Sequence, residues 1–263
     1  MDIASIVGIL VAFFFLILAF IEEGGSMGML MVGTAAMIVF GGTFGATIVS
    51  FSMEEIKRVP YFLKSVFKSE PIDFNEYLEL LVKNADKARR EGFLSLENQL
   101  DQIDNQFLVK GLQMVIDGTD PELTQSILEM EIEVYEKNEM VGVQIFMAMG
   151  GFAPTMGIIG TVMGMVNVLS NLSSPEELGG SIAVAFLATL YGIASANILW
   201  IPFASKIKNN LKRQTFLMEM MLEGIMSIQN GENPRLLREK LKIFLPTEIR
   251  QELVVREKEK MVM

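Results

Sequence analysis

Four stretches of this sequence contain no Asp, Glu, Lys or Arg: residues 3 to 21, 24 to 53, 140 to 175 and 178 to 205. Each is long enough to cross a hydrocarbon core, which takes about 20 helical residues. Elsewhere the chain is dense with charge. Of its 263 residues 51% are hydrophobic, yet it carries 22 basic and 32 acidic side chains. Apolar and charged residues are therefore segregated along the chain. The segregation predicts an all-α, polytopic membrane protein with four transmembrane helices and a helical cytoplasmic domain. At about 1.5 Å per residue the third run far exceeds a core of about 30 Å, so its first turns are expected to stand outside the lipid.

All 22 Lys and Arg lie between Lys57 and Lys137 or between Lys206 and Lys260, whereas the short connections hold Glu22, Glu23, Glu176 and Glu177. Basic segments stay on the cytoplasmic side of a membrane. The two acidic hairpin loops are then outside, and both termini are cytoplasmic. Met1-Asp2 offers no basic leader, and Glu22-Glu23 ends the first run without a small-residue cleavage site; it reads as a retained span. The lack of cysteine removes disulfides and thiol chemistry, and the lack of histidine removes the commonest metal ligand and the near-neutral proton shuttle. No enzyme, metal or bound cofactor is expected. A net charge of -10 argues against a nucleic-acid surface.

The organisation follows: a transmembrane hairpin over 1-52, a cytoplasmic helical domain over 53-138, spans 3 and 4 with cytoplasmic extensions over 139-208, and C-terminal cytoplasmic helices over 209-263. From Met53 to Lys68, Ile56, Val59, Phe62, Leu63, Val66 and Phe67 share one face against Lys57, Arg58, Lys64 and Lys68, the pattern of an interfacial amphipathic helix. Pro71-Ile72-Asp73 opens the next helix, with Asp73 and Glu76 spaced as a capping box and Gly92 as its stop. A second helix is expected from near Ser95. Pro121, after Asp117-Gly118-Thr119-Asp120, starts a third that runs into the third span. Beyond Lys206 the helical pattern breaks at 229-234 and at Pro246, and the chain ends in a mixed-charge tail from Arg256 to Lys260.

The interiors of the spans hold no carboxylate, histidine or base. A proton relay inside a bilayer normally needs such a group, so a protein of this kind either moves no ions or borrows the titrating group from another chain. Small and polar residues favour borrowing: Gly157, Gly160, Thr161 and Gly164 cluster in the third span, and Ala185, Ala188, Thr189, Gly192, Ala196 and Pro202 in the fourth.

The stretch Met156-Gly157-Ile158-Ile159-Gly160-Thr161-Val162-Met163-Gly164-Met165, paired with Ala188-Thr189-Leu190-Tyr191-Gly192, resembles the signature of the MotA/TolQ/ExbB superfamily of ion-driven energisers. The additional N-terminal hairpin and the segment from Ala88 to Glu97 resemble the MotA/PomA branch, the flagellar motor stator subunits. That resemblance implies a complex that converts a proton or sodium gradient into torque on the flagellar rotor, driving motility from the cell inner membrane. It implies a MotB/PomB-type partner that supplies a membrane Asp and a peptidoglycan anchor, with a ring of this chain, five copies, around a partner dimer. By the same resemblance Thr161 and Thr189, with Thr155, border the ion pathway, and Pro154 and Pro202 couple ion passage to movement. Arg89, Arg90 and Glu97 act on the rotor switch protein FliG. Thr161 matches sodium-type subunits, but Thr at this position also occurs across the superfamily, so proton and sodium both stay open.

Plainer readings stand beside these. Arg89 and Arg90 precede a helix stop and Glu97 begins a helix, the signs a helix dipole favours. Gly157, Gly160, Gly164 and Gly192 suit close helix packing, and Pro154 and Pro202 suit passive kinks. The 20 methionines suit adaptable apolar packing. The rivals to a stator are a TolQ/ExbB-type energiser of envelope transport, opposed by the fourth span, and a self-sufficient channel, opposed by the uncharged spans.

Overall fold

Backbone groups in lipid have no water to bond, so an uncharged run crosses as a helix. Every regular element among the described residues is helical. The computed structural model describes residues 3–68, 72–171, 175–245 and 250, of which 175–177 by backbone alone. Four helical stretches have the length and apolarity to cross a membrane: Ile3–Glu22, Met27–Ser50, part of Pro121–Ser170 and part of Leu178–Gln229, with mean hydropathy 3.0, 1.7, 1.6 and 1.9. The first, α1 (Ile3–Glu22), buries none of its residues. A helix apolar on all faces but unburied has hydrocarbon, or another membrane chain, as its surroundings.

The second span is not one regular helix. A 3-10 turn over Met27–Leu30 gives way to non-helical backbone at Met31 and Val32, extended at Val32, then to α2 (Gly33–Ala36), a π-turn over Met37–Gly41, and α3 (Gly42–Ser50). Span three is the end of α9 (Pro121–Ser170), 50 residues long and unbroken through Pro154. Span four begins as α10 (Pro175–Ser195) and passes through a π-turn, Ala196–Trp200, into α11 (Ile201–Gln229). Pro202 has no N–H, and its ring presses on the carbonyl four residues back, that of Ile198. The wider π-turn sits at that carbonyl. Because α10 starts at Pro175, the backbone of Glu176 and Glu177 lies in the first turn of a helix and not in a loop.

The segment after Phe51 is also two helices where one was expected, α4 (Met53–Lys57) and α5 (Val59–Phe67). Pro60 breaks the run: it has no N–H to bond to the Ile56 carbonyl and its ring crowds that carbonyl, so the helix restarts with Pro60 in its first turn. Ser52 caps α4 in a reciprocal capping box, the Glu55 amide donating to Ser52 Oγ at 3.3 Å and the Ser52 amide to Glu55 Oε2 at 2.8 Å. The amphipathic face of α5 is buried against protein: Phe62 fills the place that Gly142 leaves without a side chain, in a core with Val66, Phe146, Met149, Trp200 and Phe203. Rings of Phe146, Trp200 and Phe203 meet at centroid distances of 5.8 to 6.4 Å.

By its contacts the chain divides into two compact units, Met1–Glu70 with Glu139–Asn210, and Pro71–Asn138 with Leu211–Met263. The second is built from α6 (Phe74–Glu91), α7 (Glu97–Leu100), α8 (Gln106–Ile116), the start of α9, most of α11 and α12 (Pro234–Leu241). Its core holds Leu78, Leu81, Leu108, Leu112, Met220, Met221 and Ile225. Asp73 caps α6 as expected, accepting from the amides of Asn75 and Glu76 at 3.0 and 3.2 Å. The helix expected from Ser95 stops at Leu100. Asn105 then caps α8, its Oδ1 accepting from the Leu108 amide at 3.0 Å, so the local side chain competes with helix continuation. Pro71, Pro246 and the tail from Arg256 to Lys260 lie outside the described residues.

Candidate functional site

In the first unit, Gly157, Gly160 and Gly164 recur every three or four residues and so form one stripe along α9. The stripe meets α10 at backbone distance. A Cβ added to Gly157 would lie 2.9 Å from the Ala188 carbonyl oxygen and 3.1 Å from Thr189 Cα; one on Gly160, 2.5 Å from Ala188 Cβ; one on Gly164, 2.6 Å from Ala185 Cβ. From the other side, a Cβ on Gly192 would lie 3.2 Å from Gly157 Cα. These four glycines let two helices touch through their main chains, the packing that dispersion favours where lipid provides no hydrophobic drive.

Close approach brings Thr161 and Thr189 together. Their hydroxyls share a hydrogen bond, and Thr161 Oγ1 also lies 3.0 Å from the Ala185 carbonyl oxygen and 3.1 Å from that of Gly157. One hydroxyl proton serves one acceptor at a time, so several neutral oxygens converge on one position between α9 and α10. Such a group can line the path of a small cation but cannot itself take up and release a proton near neutral pH. Thr155, the third expected member, is not in this cluster: it is exposed, and its hydroxyl donates to the Phe152 carbonyl at 2.7 Å within its own helix. Pro154 and Pro202 lie on α9 and α11, the latter just past the π-turn.

A residue the sequence reading passed over ties the second span to this pair. Tyr191, between Thr189 and Gly192 on α10, donates its hydroxyl to the Leu30 carbonyl and accepts from the Val32 amide at 3.1 Å. These backbone groups flank the break at Met31 and Val32. Tyr191 also stacks on Phe40 at 6.5 Å. A Tyr hydroxyl inside an apolar span needs a partner, but the local sequence does not say which group supplies it.

In the second unit, Arg89 and Arg90 occupy the last turn of α6 and Glu97 is the first residue of α7. Between them Gly92 adopts φ +82°, ψ 166°, a region nearly closed to residues with a Cβ. Ala85, Ala88, Leu96 and Leu100 face the core, which turns Arg89, Arg90, Glu91 and Glu97 outward, all exposed. Arg90 Nε pairs with Asp86 Oδ1 at 3.1 Å. Leu94, between the charges, is 73% exposed.

Comparison with known proteins brings these features under one description. The family model of MotA/TolQ/ExbB proton channels matches residues 99–220, and that of the motility protein A N-terminal region matches residues 6–92. Motility protein A of Bacillus subtilis is 37% identical over 251 residues, 95% of this chain and 93% of that protein. The chemotaxis protein PomA of Vibrio alginolyticus is 34% identical over 245 residues, 93% of this chain and 96% of that protein. The solved structure of the flagellar MotAB stator complex from Bacillus subtilis has a chain that superposes with a TM-score of 0.89 at 36% identity, covering 95% of this chain and 98% of that one.

Proposed function

Because this chain belongs to the motility protein A branch of the MotA/TolQ/ExbB proton channel family, and is thus a stator subunit of the flagellar motor, we propose that its Thr161–Thr189 face borders an ion path whose titrating carboxylate comes from a separate MotB/PomB-type subunit. The protein is a multi-pass inner-membrane motor component and not an enzyme. The match of its first 92 residues to the motility N-terminal region disfavours the TolQ/ExbB alternative. The observation that carries the proposal is the joining of hydroxyl and carbonyl oxygens at Thr161 in spans whose interiors contain no carboxylate, histidine or basic residue. A proton or sodium ion entering from outside would neutralise the partner's Asp beside these oxygens. A basic residue on this wall would lock that Asp in an ion pair; neutral oxygens let its charge come and go.

The ring stepping around the partner then carries the rotor contact with it. Five copies around a partner dimer, with both termini cytoplasmic, is the assembly we assign. Arg89, Arg90 and Glu97 would engage FliG, and their exposure leaves them available. The energetics suit repeated contact: one ion crossing 100 mV releases about 2.3 kcal/mol, whereas an exposed ion pair is worth about 0 to 1 kcal/mol. The test is ion flux in vesicles. The coexpressed pair should conduct and this chain alone should not; equal flux from the chain alone would overturn the borrowed-carboxylate reading. Thr161→Ala in the coexpressed pair should change the sodium dependence of swimming if sodium is the ion, and leave it unchanged if the ion is a proton.

A further inference from the structure

The turn between α6 and α7 presents more than charge. Leu94, 73% exposed, is the most exposed large apolar side chain among the described residues of the second unit, and Phe93 beside it is 36% exposed. Apolar residues scattered singly over a surface are ordinary, but this one is held from both sides. Upstream, the Gly92 amide donates to the Ala88 carbonyl at 2.9 Å and closes α6. Downstream, Ser95 returns to the Gly92 carbonyl through its amide at 3.2 Å and its hydroxyl at 2.7 Å. Ala88 and Leu96 bury the two ends of the turn in the core. With the backbone fixed at Gly92, Ser95 and Leu96, Leu94 has only its own rotamers to lose when something covers it, so ordering the contact costs little.

We propose that Leu94 is the apolar centre of the rotor contact, inserted into a hydrophobic recess of the rotor protein, with Arg89, Arg90 and Glu97 as its charged rim. The proposal rests on the reading of this segment as the rotor-facing one, and it adds what the charges cannot supply. Protein interfaces combine an apolar core with a polar rim, and exposed charges flank Leu94 here, Arg89, Arg90 and Glu91 before it and Glu97 after it. An exposed ion pair changes affinity by up to about fivefold and is weakened by salt. Covering the 73% of Leu94 that water now reaches changes it by roughly sixfold to fortyfold, with no screening by salt. Arg90 is moreover already paired with Asp86, so a new partner for it exchanges one ion pair for another. The magnitudes put the affinity on Leu94 and leave the charges to steer and orient. Glu91 and Glu97 beside it oppose an anionic membrane surface as the partner, whereas charges of both signs around one apolar residue fit a protein recess whose rim also carries both.

The test uses the coexpressed stator complex in nanodiscs and purified FliG, with the dissociation constant measured at low and at high salt, beside the swimming of cells that carry the same variants. Leu94→Ser should weaken binding by roughly sixfold to fortyfold at both salt concentrations and slow swimming, with the melting temperature and assembly of the complex unchanged because the side chain stands in water. Leu94→Met keeps the apolar bulk and should stay near wild type. Arg89→Ala and Glu97→Ala should each weaken binding by up to about fivefold, and only at low salt. Wild-type affinity in Leu94→Ser, together with weaker binding in the two charge variants, overturns the apolar centre and leaves the rotor reading standing. No binding by the wild-type complex, or binding that none of the three variants changes, overturns the rotor reading of the segment as well. A photo-cross-linker at position 94 that captures a second copy of this chain or lipid, and not the rotor protein, also overturns the proposal.

Discussion

Substituting Tyr191→Phe removes one oxygen from the interior of the spans and keeps the ring that stacks on Phe40. The Leu30 carbonyl loses its donor and the Val32 amide its acceptor, both at a break where the helix cannot satisfy them internally. Hydrogen bonds between membrane helices average about 0.6 kcal/mol and reach about 1.7, so losing two should cost about 1 to 3 kcal/mol. The loss is local. At 1.4 kcal/mol for each factor of ten, amide exchange across residues 27–36 should rise roughly fivefold to a hundredfold, while residues 157–164 on α9 stay as protected as before. Hydrogen–deuterium exchange on the assembled complex reads both segments in one experiment. Unchanged exchange over 27–36 would refute the assignment of Tyr191 as the tie between the second span and α10, and an equal rise everywhere would show a general loss of stability.

Three further outcomes are expected. Gly164→Val must part α9 from α10, since even its Cβ meets Ala185 at 2.6 Å; overpacking of this kind costs about 1 to 3 kcal/mol and should appear as a lower melting temperature and poorer assembly, whereas Gly45→Ala, with open space around it, should be silent. Gly92→Ala forces a side chain into backbone that costs about 1 to 3 kcal/mol, and it should re-aim Arg89 and Glu97, so that swimming slows in a complex that still inserts and assembles. In the second unit, the hydrogen bond from Lys240 holds the Glu232 carboxyl below the usual carboxylate range, with Ser227 adding to it and burial opposing. A depressed carboxyl pKa contributes stability above the unfolded-state value, and that contribution is lost as pH falls through the folded-state value. The wild-type melting temperature should therefore drop more steeply on acidification than that of Glu232→Gln, and parallel curves would contradict this.

What could be read in advance tracks what lipid enforces. The four runs without charge mark spans because a charge there is costly regardless of tertiary detail; Asp73 marks a helix start because it satisfies local amides, and Pro121 marks another because its fixed φ and missing N–H suit a first helical turn. Breaks that depend on distant partners were not legible. The extended step at Val32 persists because Tyr191, 159 residues away, bonds to it, and no pattern within the second span announces that. The division at Arg58 was signalled by Pro60, but the apolar face from Ile56 to Phe67 runs on through it and favoured one helix. At the candidate site, shared motif residues identified Thr161 and Thr189, and their meeting required the glycine face of α9. Thr155 lies outside the stretch Met156–Met165 that carries the resemblance, and its hydroxyl bonds to the Phe152 carbonyl of its own helix.

The main-chain contact between α9 and α10 governs what kind of motion the site can transmit. Where Gly157 and Gly192 set Cα against carbonyl, no rotamer stands between the helices to give way, so a push on one is received by the other without slack. The two behave as a single stiff blade. Any give is left to the backbone along the chain, and at Ala196–Trp200, two residues before Pro202, a wider π-turn replaces the regular α-helical ladder.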